Sequence, residues 1–259
     1  MRRLIGFSLV LLGLLLGRAV PVTAAHCPPD AVDSGGICVD KFEASVWQTT
    51  DATLIDLIKA GMVTLDDLAA GGATQLGLVD GDLAAAGCPN TGNGCTDVFA
   101  VSIQGVMPAR FINWFQAVAA ARNSGKRLLT NYEWQAAALG TPDPGGTPGA
   151  ADCNTSSAGP DLTGARVNCV SDVGAFDIVG NLWERVAEWV PQSSAACIPP
   201  LFPETNDENC WVGASTSDGP GTLLRGGGFF NGPFAGVFAV NGFRGPSFKT
   251  SDLGFRAAR

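Results

Sequence analysis

The chain has 259 residues, a net charge of −8 and an apolar fraction of 46%, enough for one domain of ordinary to large size with a real core. No cluster of Lys and Arg interrupts the acidic balance, which argues against a nucleic-acid partner. The eight cysteines are an even set, no C-x-x-C occurs and the single histidine is His26, so disulfides in an oxidising compartment are expected and a Cys/His metal cluster is not.

Residues 1–25 read as a secretory signal peptide: Met1-Arg2-Arg3, an apolar run from Leu4 to Leu16, then Arg18, Pro21 and the small residues Thr23, Ala24 and Ala25. The mature chain is therefore expected to be secreted or periplasmic. His26 directly precedes Cys27, which disfavours a lipid anchor, and no later run is long and apolar enough to insert into a membrane. Residues 26–259 read as a single domain. Gly35 to Trp47 alternates apolar and polar residues as a half-buried strand does. Leu54, Ile55, Ile58, Leu65 and Leu68 stand at helical spacing, interrupted by Gly61 and Gly71-Gly72, which predicts one or two short helices. They form an insertion at about 51–96, closed by the Cys88 to Cys95 loop. Ile112, Phe115, Val118 and Ala119 fall on one face of a helix that ends near Asn123-Ser124-Gly125. Thr130 with Glu133 makes a capping box for a second helix, whose buried stripe is Trp134, Ala137 and Ala138. A Pro- and Gly-rich loop follows from Thr141 to Gly149. The cysteines fall along the chain as close neighbours, which predicts the pairs Cys27–Cys38, Cys88–Cys95, Cys153–Cys169 and Cys197–Cys210. Trp134, Trp183 and Trp189 are assigned to the core, and Arg127 and Arg256 to structural ion pairs.

Four separated segments then share a pattern: Val39-Asp40-Lys41-Phe42-Glu43; Gly125-Lys126-Arg127-Leu128 with Glu133-Trp134; Ile178-Val179-Gly180-Asn181-Leu182-Trp183-Glu184; and Gly226-Gly227 followed by Gly254-Phe255-Arg256. In this order they resemble the formylglycine-generating enzyme, or sulfatase-modifying factor, domain family over nearly the whole mature chain. The resemblance implies an α+β fold of the C-type lectin-like kind, with little regular secondary structure. In the family's enzymes two cysteines just after the Gly-Gly pair bind copper(I) and oxidise a cysteine of a sulfatase; soft thiolates suit that ion. Matching from Gly226-Gly227 puts Asn231 and Gly236 at those positions, and no cysteine follows Cys210, so neither copper nor a catalytic residue is expected. The resemblance also implies a structural calcium on the side chains of Asp177 and Glu184 and the carbonyls of Gly180 and Leu182. The competing reading has Asp177 capping a turn and Glu184 paired with a base such as Arg185 or Arg225.

The closing segment is similar to a second group with the same fold, the variable proteins diversified by retroelements. Asn231-Gly232, Ala235-Gly236-Val237-Phe238-Ala239, Pro246-Ser247 and Gly254-Phe255-Arg256 reproduce that group's frame. The departures at Phe230, Phe234, Phe243, Arg244, Phe248, Thr250 and Asp252 all belong to the residues reachable when adenines of an asparagine codon are rewritten; Lys249 does not, and Phe229 exchanges one aromatic for another. Half of the fourteen phenylalanines lie between Phe229 and Phe255, among glycines and a proline that forbid a regular core helix. Phe238 and Phe255 are assigned to the core. Phe229, Phe230, Asn231, Phe234, Phe243, Arg244, Phe248, Lys249, Thr250 and Asp252 are the expected binding residues for an unknown protein or surface ligand. Burial of all seven phenylalanines is the competing reading, and an oxidase of the formylglycine-generating type, or a divergent relative, is the enzymatic alternative.

Overall fold

In a computed structural model of the chain, residues 27–195, 197 and 205–259 are described; the signal sequence read at 1–25 lies outside them. The order is β1 (Ala31–Ser34), β2 (Ile37–Asp40), β3 (Ser45–Gln48), α1 (Ala52–Ala60), α2 (Leu65–Ala70), β4 (Thr74–Leu76), α3 (Asp82–Ala85), β5 (Val98–Val101), α4 (Trp114–Asn123), β6 (Arg127–Leu128), α5 (Asn131–Ala138), β7 (Trp183–Ser193), β8 (Asn209–Cys210), β9 (Ala214–Gly226), β10 (Gly236–Arg244), β11 (Leu253–Phe255) and β12 (Ala257–Ala258).

Three small sheets result, with strand orders β1-β2-β12-β6, β11-β7-β9-β10-β8 and β4-β3-β5. The second carries the C-terminal segment: β10 lies between β9, antiparallel to it, and β8, parallel to it. The C-terminal strand closes onto an early one: β12 pairs with β2 and the Arg259 and Cys38 backbones exchange both hydrogen bonds. The run Gly35 to Trp47 is two strands, not one. Between them the Phe42 N–H turns to Ser102 Oγ and the Ala44 N–H to the Phe255 carbonyl, so the backbone leaves one ladder and joins another. The insertion folds as α1, α2, α3 and β4, and α1 and α2 bury Leu54, Ile58 and Leu68 against Trp47 and Phe99.

Local sequence explains the helix ends. Thr130 caps α5, accepting from the Glu133 N–H while Glu133 returns a bond to the Thr130 N–H. Asn113 does the same for α4 with Gln116, so α4 begins at Trp114 and Ile112 belongs to the preceding loop. The buried face of α4 accordingly shifts to Gln116, Ala117, Ala119, Ala120 and Ala121, leaving Phe115 and Val118 half-buried. Gln116 also donates to the Cys88 carbonyl, fixing the disulfide loop against the helix.

Disulfides join Cys27–Cys38, Cys88–Cys95, Cys153–Cys169 and Cys197–Cys210. Their separations of 7 to 16 residues limit each contribution, on loop-closure entropy, to about 2–3 kcal/mol. No helix among the described residues is long and apolar enough to cross a membrane.

Candidate ligand-binding face

The face rests on a buried charged frame. Arg256 is fully buried and donates to both oxygens of Glu184, the shortest contact being 2.7 Å, and to the carbonyls of Asp40 and Phe176. The Trp134 indole completes Glu184 at 2.7 Å. Beside this pair, Asp177 takes the Gly164 N–H and Glu43 takes the Leu182 N–H and the Asn181 amide. Burial pushes Asp177 up to about 6, and it pushes Glu43 up as well, reinforced by the neighbouring Asp177 and Glu184. Asn181 stands in the left-handed region at φ 56°, a conformation its short amide tolerates, and from there its side chain reaches Glu43, Asn154 and the Asp161 N–H.

The C-terminal segment crosses this frame at Gly226-Gly227, with φ of 87° and 84°. A Cβ on Gly226 would run into the Ile178 carbonyl, and one on Gly227 into Ala235, so only glycine passes here. The Gly180 N–H then goes to the Gly226 carbonyl and the Phe229 N–H to the Asn181 carbonyl. Asn231 accepts from the Trp183 indole at 3.0 Å and from the Gly228 N–H. At the far side Arg185, fully buried, donates to the carbonyls of Ile112 and Phe248 and to the Thr222 hydroxyl, fixing the Phe248 backbone from below. Burial lowers its guanidinium to about 9.

A cavity of about 360 Å³ opens above, lined by Trp183, Glu208, Leu224, Phe230, Asn231, Asn241, Arg244, Phe248, Thr250, Asp252 and Leu253. Six of the residues expected from sequence meet in it: Phe230, Asn231, Arg244, Phe248, Thr250 and Asp252. Phe230 is 56% exposed, and Phe234 (53%) and Phe243 (41%) are exposed outside it. Arg244 lies 4.5 Å over the Phe248 ring and 5.4 Å over that of Phe243. Two expectations are corrected. Phe229 is buried at 9% exposure, because its backbone is clamped by Asn181 and Ser157 and its ring packs edge-on against Phe230. Phe238, expected in the core, is only half-buried: it lies in the irregular stretch of β10 between Gly236 and Val240, ahead of the pairing with β8, where Asp207 takes its N–H. Lys249 points away to an ion pair with Asp80 of the insertion, 2.7 Å.

Glu208 and Asn241 were not legible as site residues. Glu208 is half-buried and accepts from the amides of Asn231 (3.3 Å) and Asn241 (3.1 Å), while burial raises its carboxyl. Trp183 is core, as expected, yet its edge forms the cavity wall. Trp189 is corrected: it is 44% exposed, stacked edge-on against Trp114 and Phe115 on the outer side of β7.

Residues 17–259 match the family model of the sulfatase-modifying factor enzyme 1-like domain. The chain belongs to this family. Its fold is the family's C-type lectin-like α+β fold, disulfide-stapled and sparing in regular structure. A formylglycine-generating enzyme of Thermomonospora curvata is 33% identical over 133 residues, 42% of this chain and 44% of the relative, so the match spans less than half of that protein's length. Among solved structures, the P3c variant of the Major Tropism Determinant aligns over 90% of this chain and 55% of its own at 18% identity, with a TM-score of 0.47. Treponema denticola variable protein 1 aligns over 88% of this chain and 97% of its own at 18% identity, TM-score 0.38.

Matching the chain from Gly226-Gly227 puts Asn231 and Gly236 of this sulfatase-modifying-factor domain at the positions expected for the copper-binding cysteines of the family's enzymes. The Asn231 carboxamide is already committed to Trp183, Gly228 and Glu208. A Cβ on Gly236 would sit inside the Asp207 carboxylate, so Asp207 fills the space a second thiolate needs. Asp207 is itself pinned by the Phe238 N–H at 2.7 Å, with the carboxylate of Asp143 of the Pro/Gly loop beside it. Burial, aided by the charge of Asp143, pushes Asp207 up to about 6. These residues do not fit copper(I). Nor does the loop fit calcium on Asp177, Gly180, Leu182 and Glu184: Glu184, which had to offer a free carboxylate, is neutralised by Arg256 and not by Arg185 or Arg225. Arg127 pairs with Glu133 at 2.6 Å, but near the surface.

Proposed function

We propose that this domain is an exported, non-catalytic ligand-binding protein whose C-terminal segment displays a retroelement-diversified binding surface. The signal-like leader and four disulfides support export. The reading treats residues 26–259 as one folding unit with the helices near 51–96 inserted in it, and its partner as a protein or other surface ligand.

The observation that carries the reading is a division within the segment itself. Ala235, Ala239, Leu253, Phe255 and Arg256, all part of the frame or packed on it, are buried, whereas Phe230, Phe234, Phe243 and Arg244 are exposed. Exposed aromatics grouped with arginine around a cavity are what an interface uses and what a monomer otherwise avoids. A rigid scaffold lets such positions vary without unfolding the domain.

The test is a paired one. Purified protein supplied with copper(I), oxygen and a Cys-x-Pro-x-Arg peptide should form no aldehyde, while a panel of immobilised cell-surface proteins should retain it through a contact that Phe230→Ser with Phe243→Ser abolishes. Oxygen-dependent aldehyde formation would overturn the reading in favour of the oxidase.

A further inference from the structure

Glu208 is the one carboxylate of the cavity whose surroundings are built for a missing charge. Its two oxygens accept from the Asn231 and Asn241 amides. Both amides are themselves oriented: Asn231 Oδ1 takes the Trp183 indole and the Gly228 N–H, and Asn241 Oδ1 takes the Phe243 N–H at 2.8 Å. Among the described residues, therefore, the half-buried carboxylate is held in place by neutral amide donors. Among the described residues no ion pair includes it. Asp252, the other acid of the lining, feels the positive charge of buried Arg185. A desolvated charge without a counter-ion is costly, and a ligand that supplies the counter-ion recovers that cost on binding.

The walls match the same ligand. Phe230 and Phe248 line the cavity with Glu208, and Phe248 already carries one cation on its ring, Arg244 at 4.5 Å. The cavity, about 360 Å³, lies at the low end of the range for ligand sites and suits one long side chain better than a polymer.

We infer that this cavity takes a lysine or arginine side chain of a protein partner, its alkyl stem along Phe230 and Phe248 and its cationic head on Glu208. This rests on the reading of the C-terminal segment as a binding face. Asn231 and Asn241 are then positioning residues that aim the carboxylate.

The full mature protein would be titrated with Nα-acetyl-arginine amide, Nα-acetyl-lysine amide and the neutral isostere Nα-acetyl-citrulline amide, following ¹H–¹⁵N shifts. The arginine and lysine probes should move the amides of Phe230, Asn241 and Phe248, and citrulline should bind about tenfold more weakly, the worth of one charge-assisted hydrogen bond. Glu208→Gln and, separately, Phe230→Ala should each weaken arginine binding by a similar factor, while Tyr132→Ser, an exposed position on α5 outside the cavity and the binding face, should leave it unchanged. Two variants at different walls keep the test decisive should Glu208→Gln disturb the amide pair. Equal binding of citrulline and arginine, no binding of either cation, or full binding by both cavity variants overturns the inference. If those results come with intact retention of the protein on surface-protein panels, only the cationic side chain is refuted; loss of both refutes the binding face as well.

Discussion

Replacing Phe255 and replacing Phe230 should have opposite consequences, although both are phenylalanines of the same segment. Phe255 is fully buried in the cluster with Val46, Ile112 and Leu128, so Phe255→Ala loses its transfer free energy and leaves a cavity, about 3–5 kcal/mol together. For a domain of this size each kcal/mol moves Tm by about 2–4 °C, so a fall of about 10 °C is expected. Phe230 is 56% exposed and touches the frame mainly through the edge of Phe229, which limits Phe230→Ser to about 0.5 kcal/mol and a shift of about 1–2 °C. Thermal melts by circular dichroism, with the disulfides kept oxidised, give both numbers. A comparable loss for the two variants would mean that the aromatics of the face belong to the core, and the division between frame and face would fail.

Four further outcomes follow from the charged groups. Arg256→Met leaves Glu184 buried beside Glu43 and Asp177 without its cation and should cost about 3–5 kcal/mol by urea unfolding; a change below about 1 kcal/mol would show the pair to be dispensable. The double substitution Asn231→Cys with Gly236→Cys should not create a tight copper(I) site, because Asp207 occupies the second position, and adding Asp207→Gly should raise affinity for the ion in competition with a chromophoric chelator. Asp207 has a folded pKa of about 6, above an unfolded value near ~3.9, so the native state binds more protons between these limits and this group's contribution to stability falls as pH rises from about 4 to 6. Asp207→Asn should remove that part of the slope, and an unchanged slope in pH-dependent urea melts would contradict the assignment. Calcium in large excess should leave Tm unmoved, whereas a specific site at ~100 times its Kd would add about 2.7 kcal/mol.

Much of the frame could be read from the residues because its determinants are local. The Thr130/Glu133 box needs only a four-residue motif, and the cysteine pairs bracket short loops, so neither depends on knowing the fold. Phe255 and Arg256 were placed correctly because a motif carries them. The failures share a different cause. Glu208 and Asn241 reach the cavity from the residue before β8 and from β10, whose parallel pairing has no sequence signature, so nothing in the neighbourhood of Cys210 marks Glu208 as a site residue. Phe229 and Phe230 are adjacent and identical in composition, and only the direction of the turn after Gly227 buries one and exposes the other. Trp189 reads as core from its place in the Trp-containing frame, but its side chain falls on the outer side of β7, where the rings of Trp114 and Phe115 pack edge-on against it. For Glu184 the sequence offered Arg185 or Arg225 as partners; the sheet instead brings in Arg256, 72 residues away.

The central claim, a variable binding face on an invariant frame, is tested most directly by sequencing the coding segment for Gly226 to Arg259, with the DNA flanking it, across many sister isolates. The account predicts a near-identical template copy beside a reverse transcriptase, with differences only at adenines and amino-acid changes gathered at Phe230, Phe234, Phe243, Arg244, Phe248, Thr250 and Asp252. Changes spread evenly over Ala239, Leu253, Phe255 and Arg256 as well would contradict it.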